Sequence, residues 1–232
     1  MKTIGILGGM SWESTVEYYR IINTVVKEEL GGLASARCLI YSLEFSELAA
    51  AMAEGDWDKI ETRLTEAAVK LEKAGADFII MATNTMHKMA DALKAELGVP
   101  FLHIAEATAD ALAAEGIKKV GLLGTRPTME MDFYSRKLAE RGFEVLIPGE
   151  DERRELHRII FEELCRGLIS PASKKNALDI IQHLSERGAT GIILGCTELG
   201  LLIKPEDTAT PTFDTALIHA RAAALKSLDQ AQ

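Results

Sequence analysis

Short apolar runs alternate with longer amphipathic stretches along the whole chain. Runs such as Phe78–Ala82 are apolar at every position, which is typical of parallel strands that helices cover on both faces. Between the runs, apolar residues recur at helical spacing; in Trp57–Ala74, Leu64 and Leu71 lie on one side. The alternation predicts an α/β fold with a mainly parallel sheet. The predicted strands are Thr3–Leu7, Arg37–Ser42, Phe78–Ala82, Val99–His103, Lys119–Leu123, Glu144–Ile147, Gly191–Leu194 and Thr212–Asp214.

Two pairs of similar segments indicate an internal repeat. Ile4–Gly8 resembles Val120–Gly124 at a shift of 116 residues, and the apolar runs before Thr83 and Cys196 match at a shift of 113. These matches favour two similar, pseudo-symmetric α/β halves, although unrelated halves that reuse strand–glycine turns would also produce them. Ligands of open α/β sheets bind beyond the carboxyl ends of the strands, where Thr83 and Cys196 both lie. If the halves face one another, the two side chains approach a shared cleft.

Composition narrows the classes of function. The 232-residue chain has a formal charge of −9, which argues against a nucleic-acid or anionic-membrane binder because both need clustered basic residues. No run of about 18 apolar residues could span a bilayer. The three cysteines lack a CxxC spacing, so neither a disulfide framework nor a zinc cluster is indicated. We expect a cytoplasmic protein without a metal site.

A glycine turn follows the first predicted strand. The N–H groups of Gly8–Ser11, before a helix that begins near Trp12, can hold a carboxylate. A tight strand–helix turn explains the same residues equally well. Because the segment is neither GxGxxG nor a P-loop, no nucleotide site is expected.

Two polar clusters follow apolar strands at matching positions of the repeat. Thr83–His87 either caps the next helix or binds a ligand. Gly195–Glu198 contains Cys196; a lone cysteine there is commonly an inert small hydrophobe, but a helix that starts just beyond it would lower its pKa and favour the thiolate. His87 and His219 are spaced to point back toward such sites. The remaining histidines, expected to be structural or solvent-facing, are His103, His157 and His183.

These motifs jointly resemble the aspartate/glutamate racemase family, part of the Asp/Glu/hydantoin racemase superfamily. The resemblance rests on Ile6–Met10, Thr83–His87, Leu194–Glu198 and Pro211–Thr215 followed by His219, and it covers nearly the whole chain. It implies two similar α/β domains with the active site between them: residues 1–100 with 212–232, and residues 101–211. It also implies a homodimer that acts on a small amino-acid substrate with no cofactor, neither pyridoxal phosphate nor metal.

The resemblance also implies roles for individual residues. Family members use two cysteines on opposite faces of the substrate, and these positions correspond to Thr83 and Cys196, the predicted catalytic residues. Cys196 is implied to deprotonate the L-enantiomer, with Thr83 or a nearby water returning the proton. The predicted substrate-binding residues are Met10, Asn84, Thr85, Thr125, Thr197 and Glu198.

Three departures from the family pattern matter. Thr83 replaces the first cysteine, the segment 42–47 lacks an expected arginine, and Cys165 stands where a lysine is expected. The cations that are candidates to replace these groups are Arg126, Arg166 and Lys88. We therefore expect an aspartate and/or glutamate racemase, an isomerase, that favours the L-enantiomer. A single-cysteine, arylmalonate-like decarboxylase and a non-catalytic binding protein are the alternatives.

Overall fold

The computed structural model describes residues 1–229, which divide into two compact units. Among the described residues, the first contains Met1–Ile104 and residues 219–229, and the second contains Ala105–Ile218. Each unit has one parallel sheet flanked by helices, so the predicted α/β fold class is confirmed. No helix within residues 1–229 is long and apolar enough to cross a membrane.

The first sheet has three strands in the order β2-β1-β3, with β1 (Ile4–Gly8) between β2 (Cys38–Ser42) and β3 (Phe78–Met81). Ser11 caps the helix after β1, accepting a hydrogen bond from the backbone N–H of Ser14. The helices of this segment are α1 (Trp12–Leu30), α2 (Phe45–Glu54), α3 (Trp57–Lys73) and α4 (Ala90–Glu96), with a 3-10 turn at Thr85–Met89.

The second sheet has four strands in the order β5-β4-β6-β7. They are β4 (Lys119–Gly124), β5 (Glu144–Leu146), β6 (Gly191–Gly195) and β7 (Thr212–Asp214). Because β7 pairs with β6, the second unit keeps this strand, whereas a boundary at residue 212 would assign it to the first half.

The helices that follow in the chain are α5 (Ile104–Ala114), α6 (Arg126–Glu130), α7 (Asp132–Ala139), α8 (Glu150–Arg158), α9 (Pro171–Glu186), α10 (Leu199–Leu202) and α11 (Thr215–Leu228). A π-helical turn at Ile159–Glu163 and 3-10 turns at Leu164–Arg166 and Pro205–Asp207 connect them.

The strand predicted at Val99–His103 is not formed. Phe101 makes one isolated parallel bridge to Ile79, with hydrogen bonds from Ile79 N to Pro100 O at 2.9 Å and from Leu102 N to Ile79 O at 3.0 Å. Pro100 has no N–H to extend a ladder, and α5 begins at Ile104. Sequence periodicity therefore located the segment that pairs with β3 at Phe101, but not its partial exposure or its single ladder contact.

The repeated glycines have the same environment in both sheets. A Cβ added to Gly5 would lie 2.5 Å from Ile79 Cδ1, and one added to Gly121 would lie 2.8 Å from Ile192 Cδ1. In each case the neighbouring strand's isoleucine occupies the space that a side chain would need. The matching glycines therefore reflect matching packing between strands, and not only a shared turn pattern.

Candidate functional site

Each unit carries part of the predicted site at the carboxyl end of its sheet. The first half-site contains Met10, which follows β1, and Thr83–Thr85, which follow β3. Leu7 and Met81 are register partners, so the two segments leave neighbouring strands at the same edge. The second half-site contains Thr125, after β4, and Cys196–Glu198, after β6.

The glycine turn of the first half-site is tightly built into the protein. Gly9 has a φ of +86°, and a side chain there would collide with the backbone of Leu43. Its N–H donates to Thr15 Oγ1 at 2.8 Å, and that hydroxyl donates to the Ser11 carbonyl at 3.0 Å. The Gly9 N–H is thus already used, which favours the tight-turn interpretation at this position. Met10 is buried within the apolar core of the unit.

Thr83, Asn84 and Thr85 are all buried where β3 ends. The backbone N–H of Thr83 donates to the Met81 carbonyl at 2.9 Å, so the chain turns sharply there. Asn84 precedes the 3-10 turn but its side chain does not cap that turn. Helix capping, the alternative explanation for this polar cluster, therefore does not account for Asn84.

His87 and His219 have internal partners on both ring nitrogens, contrary to the expectation that they point toward a site. The His87 ring contacts the Thr83 carbonyl and the Ile104 N–H, at 2.7 and 3.2 Å. The His219 ring contacts the Tyr18 hydroxyl and the Leu102 carbonyl, both at 2.9 Å. Burial lowers the pKa of His87 well below its ordinary value and that of His219 to about 4. Both rings are therefore neutral at pH 7.

The second half-site centres on a thiol bonded to a carboxylate. Cys196 is buried, and its Sγ donates to Glu198 Oε2 at 3.0 Å. The Thr197 hydroxyl donates to the same oxygen at 2.7 Å. The Glu198 side chain is itself 4% exposed, so this carboxylate interacts with protein donors more than with water. The i, i+2 spacing of Cys196 and Glu198 was visible in the sequence, but their contact depends on the turn between them.

The expected depression of the Cys196 pKa is wrong. Burial raises the pKa of the thiol well above its ordinary value, and the negative charge of Glu198, followed by Cys165, raises it further. The helix expected beyond Cys196 is only the four-residue α10, and Glu198 occupies its N-cap position. A buried carboxylate next to the thiol outweighs the dipole of one helical turn.

Thr125 lies beside this pair in the sheet, because Gly124 and Gly195 are register partners. Its hydroxyl oxygen caps α6 by accepting from the Thr128 N–H at 3.4 Å, and it also lies 3.1 Å from the Thr128 hydroxyl. Thr125 has a structural role in addition to any contact with substrate.

Two of the three cations considered as compensating groups have partners within their own unit. Arg126 makes two contacts of 3.1 Å with the Glu130 carboxylate, and Lys88 lies 4.8 Å from the centroid of the Trp57 ring. Arg166 is exposed. Within residues 1–229, no group of three or more potential ligands is arranged to hold a metal ion.

The comparison with known families identifies the chain. The family model described as Asp/Glu/Hydantoin racemase matches residues 7–223, which is most of the sequence. The chain belongs to the Asp/Glu/hydantoin racemase family. As a member of a family of amino-acid racemases it is an isomerase, which confirms that prediction.

Solved structures and curated relatives agree with the family. A candidate Asp/Glu racemase from Yersinia pestis is 49% identical, with a TM-score of 0.92 over 99% of this chain and 100% of the other. An aspartate racemase homologue from Pyrococcus horikoshii OT3 is 39% identical, with a TM-score of 0.86 and the same coverage. The broad specificity amino-acid racemase RacX of Bacillus subtilis (strain 168) is 29% identical over 94% of this chain and 95% of its own length.

Proposed function

We propose that this racemase acts on aspartate, glutamate or both, without a cofactor, and that Cys196 is its single thiol base. The observation that supports this most strongly is the buried Cys196–Glu198 pair. A neutral thiol cannot remove an α-proton, so its own proton must first leave. Glu198 Oε2, at 3.0 Å, is an acceptor within direct reach.

Transfer of the thiol proton from Cys196 to Glu198 keeps the total charge of the pair constant. The carboxylate becomes neutral as the thiol becomes thiolate, so no additional charge enters a buried site. The thiolate then takes the α-proton of the L-enantiomer, leaving a carbanion whose charge is shared with the substrate carboxylate. A proton returned to the opposite face completes inversion and gives the D-enantiomer.

We propose that the Thr83 hydroxyl or a nearby water gives its own proton to the opposite face of the same substrate molecule. The proton held on Glu198 then returns through solvent to the donor, which restores the resting site with the α-proton on Cys196. A threonine hydroxyl is a far weaker acid than a thiol, so this step should be slower than proton removal by Cys196. The L-enantiomer should therefore exchange its α-proton faster than it inverts. Because enantiomers have equal free energies, kcat/KM for complete inversion must still be equal in the two directions.

The experiment that tests this function uses the purified chain in D₂O with L- and D-aspartate and L- and D-glutamate. Mass spectrometry reports α-deuteration, and chiral chromatography reports inversion. We expect deuteration of at least one L-enantiomer to precede inversion. L-Alanine and L-lysine form a further arm, since RacX is described as broad in specificity and the usual cationic positions differ here. No deuteration of any amino acid would overturn the proposal.

A decarboxylase is the second candidate, and the protonation of Cys196 favours it. A neutral thiol is suited to give a proton to one face of an enediolate formed by loss of CO₂. Release of CO₂ from an arylmalonate, without α-deuteration of amino acids, would support this function instead.

We also propose that the protein is a homodimer, as the family resemblance implies. Sedimentation equilibrium should then give twice the chain mass of 25.3 kDa. A single species at the chain mass would contradict this.

A further inference from the structure

The segment between residues 99 and 104 occupies the fourth position of the first sheet with few ladder bonds. Its counterpart in the second sheet, β7, pairs with β6 over three residues from Thr212 to Asp214. The Thr215 hydroxyl then donates to the Leu194 carbonyl at 2.8 Å. The segment at 99–104 has only the bridge at Phe101, so other groups must fix its path.

His87 holds one end of this segment. Its Nδ1 lies 2.7 Å from the Thr83 carbonyl oxygen, which can only accept, so Nδ1 carries the proton. Its Nε2 accepts the backbone N–H of Ile104 at 3.2 Å and must be unprotonated. The ring therefore joins the turn that carries Thr83 to the residue at which α5 begins.

His219 holds the segment from the other side. Its Nε2 donates to the Leu102 carbonyl at 2.9 Å, which fixes the opposite tautomer from that of His87. Its Nδ1 then accepts from the Tyr18 hydroxyl at 2.9 Å. Tyr18 is fully buried on α1, so this second link joins the segment to the helix that follows the glycine turn.

The surroundings keep both rings neutral. The centroid of the His87 ring lies 4.6 Å from that of His103 and 5.8 Å from that of His219, and all three rings are buried. Lys94 is a further positive group whose charge acts on His87. A charged imidazolium at His87 would be desolvated and would be repelled by the Lys94 charge.

We propose that His87 is a positioning residue that holds the Thr83 turn in place, with His219 as its counterpart on the Leu102 side. The two histidines bond the Leu102 carbonyl and the Ile104 N–H, beyond the single bridge at Phe101, and neither exchanges a proton with substrate. His87 acts through the Thr83 carbonyl, so it governs the half-site that returns the proton. This last step rests on the proposed function, whereas the histidine links themselves do not.

Nitrogen-15 NMR of the histidine-labelled, full-length protein tests the links without any activity measurement. We expect the Nδ1–H tautomer for His87 and the Nε2–H tautomer for His219, with neither ring titrating between pH 8 and 5.5. His183, which is exposed and pairs with Glu152 at 2.6 Å, should titrate in the same spectra and serves as the reference. A His87 ring in the Nε2–H form, or one that titrates near pH 6.5, would overturn the proposal.

Two variants separate the contacts of His87. The asparagine amide in His87→Asn can reproduce the Nδ1–H donor to Thr83, and the glutamine amide in His87→Gln can reproduce the Nε2 acceptor for Ile104. We expect His87→Gln to lower the ratio of inversion to α-deuteration of the L-substrate at least tenfold, and His87→Asn to retain most of it. His183→Gln should leave the ratio unchanged.

The ratio of inversion to α-deuteration reports on the half-site that contains Thr83, because Cys196, in the other unit, carries out the deuteration. An unchanged ratio in folded His87→Gln would show that His87 does not position Thr83. If His87→Gln fails to fold, the ratio in His87→Asn and the tautomers of the wild type decide the question. Absence of deuteration in the wild type would instead disprove the proposed function, and the NMR result would still stand.

Discussion

At the scale of single residues, the protonation of Cys196 depends on two neighbours with different effects. Burial disfavours the thiolate, and the Glu198 carboxylate adds like-charge repulsion while accepting the thiol proton. The same carboxylate thus keeps the resting cysteine protonated and provides the place to which its proton can move. A substitution of Glu198 that removes the negative charge and keeps the shape of the side chain separates these two effects.

Glu198→Gln should lower the pKa of Cys196 and yet slow α-proton exchange. The pKa falls because the repulsion between the carboxylate and the thiolate is lost. Each pKa unit of decrease gives about a tenfold larger thiolate fraction at a pH below the pKa. Exchange slows because the amide cannot take the thiol proton. The rate of iodoacetamide labelling at Cys196 between pH 7 and 9 reports the first effect, and α-deuteration in D₂O reports the second. Faster labelling together with faster exchange would show that Glu198 is only an inhibitory charge.

Cys196→Ala should reduce α-proton exchange by at least about 10³-fold, because no other thiol is proposed to reach the substrate. Cys38→Ala is the matched control: Cys38 lies on the edge strand β2, and burial raises its pKa to about 11. Exchange is measured for both variants at equal concentration after circular dichroism has shown that they fold. Comparable exchange in Cys196→Ala and Cys38→Ala would rule out the thiol mechanism.

Thr83→Cys should increase the α-proton exchange of D-enantiomers more than that of L-enantiomers, while kcat/KM for inversion rises equally in both directions. A second thiol would supply general acid–base catalysis on the face where only a hydroxyl is now present, and such catalysis is typically worth 10²–10⁴-fold. The two side chains are nearly equal in size, so the loss of packing should be small. Deuteration of D-aspartate and D-glutamate measures the gain, with Thr83→Ser as control. If Thr83→Cys folds and changes neither exchange nor inversion, Thr83 is not at the second-base position.

At the scale of elements, the glycine turn after β1 combines a positive φ, which glycine adopts without strain, with close packing. Gly9 has a positive φ and lies against the backbone of Leu43, while its N–H is held by Thr15. The turn therefore fixes where α1 begins and how Met10 enters the core. Few side chains other than hydrogen could satisfy both constraints at once.

Gly9→Ala should destabilise the protein more than a positive φ alone explains. Gly142→Ala is the matched control, since Gly142 has a φ of +83° but no atom within 4 Å of an added Cβ. We expect about 1 kcal/mol of lost stability for Gly142→Ala from backbone strain. For Gly9→Ala a further ~1–3 kcal/mol should follow from overpacking. Urea unfolding measures the stability of both variants. Equal losses of stability would show that the backbone at Leu43 moves aside without destabilising the protein.

At the scale of the whole molecule, buried histidines make stability depend on pH. His219 has a folded pKa of about 4, below the ordinary value of 6.5, because burial disfavours its charged form. The unfolded chain therefore binds a proton first as pH falls. The stabilisation is complete above pH 6.5 and is lost progressively toward pH 4. His87, whose pKa is also lowered, adds to the same trend.

The wild type should lose about 2 kcal/mol of unfolding free energy between pH 7.5 and 5 through His219. His219→Gln should be less stable at pH 7.5, because its hydrogen bonds change, but should show a flatter dependence on pH. His183→Gln is the control: the raised pKa of this exposed histidine acts in the opposite direction, so its variant should not flatten the slope. Urea titrations at several pH values give the slopes. Identical slopes for the wild type and His219→Gln would show that His219 is not buried as a neutral ring.

The sequence alone determined the fold class and the family. Strand runs, helical spacing and strand-end motifs are local patterns, and parallel strands bring their carboxyl ends to one edge whatever the remaining packing is. The positions of Thr83 and Cys196 at strand ends therefore follow from the sequence alone. That the two side chains act on the same substrate molecule is a proposal, because Thr83 and Cys196 belong to different units.

Only the tertiary structure decided the protonation of Cys196, the roles of His87 and His219, and the loss of the strand at 99–103. The thiol pKa depends on burial and on the direction of the Glu198 carboxylate, which the spacing of the two residues does not fix. The histidines bond to backbone atoms of a segment up to 117 residues away. Local periodicity records which side chains are apolar, whereas hydrogen bonding and desolvation depend on which atoms the completed fold brings within about 3 Å.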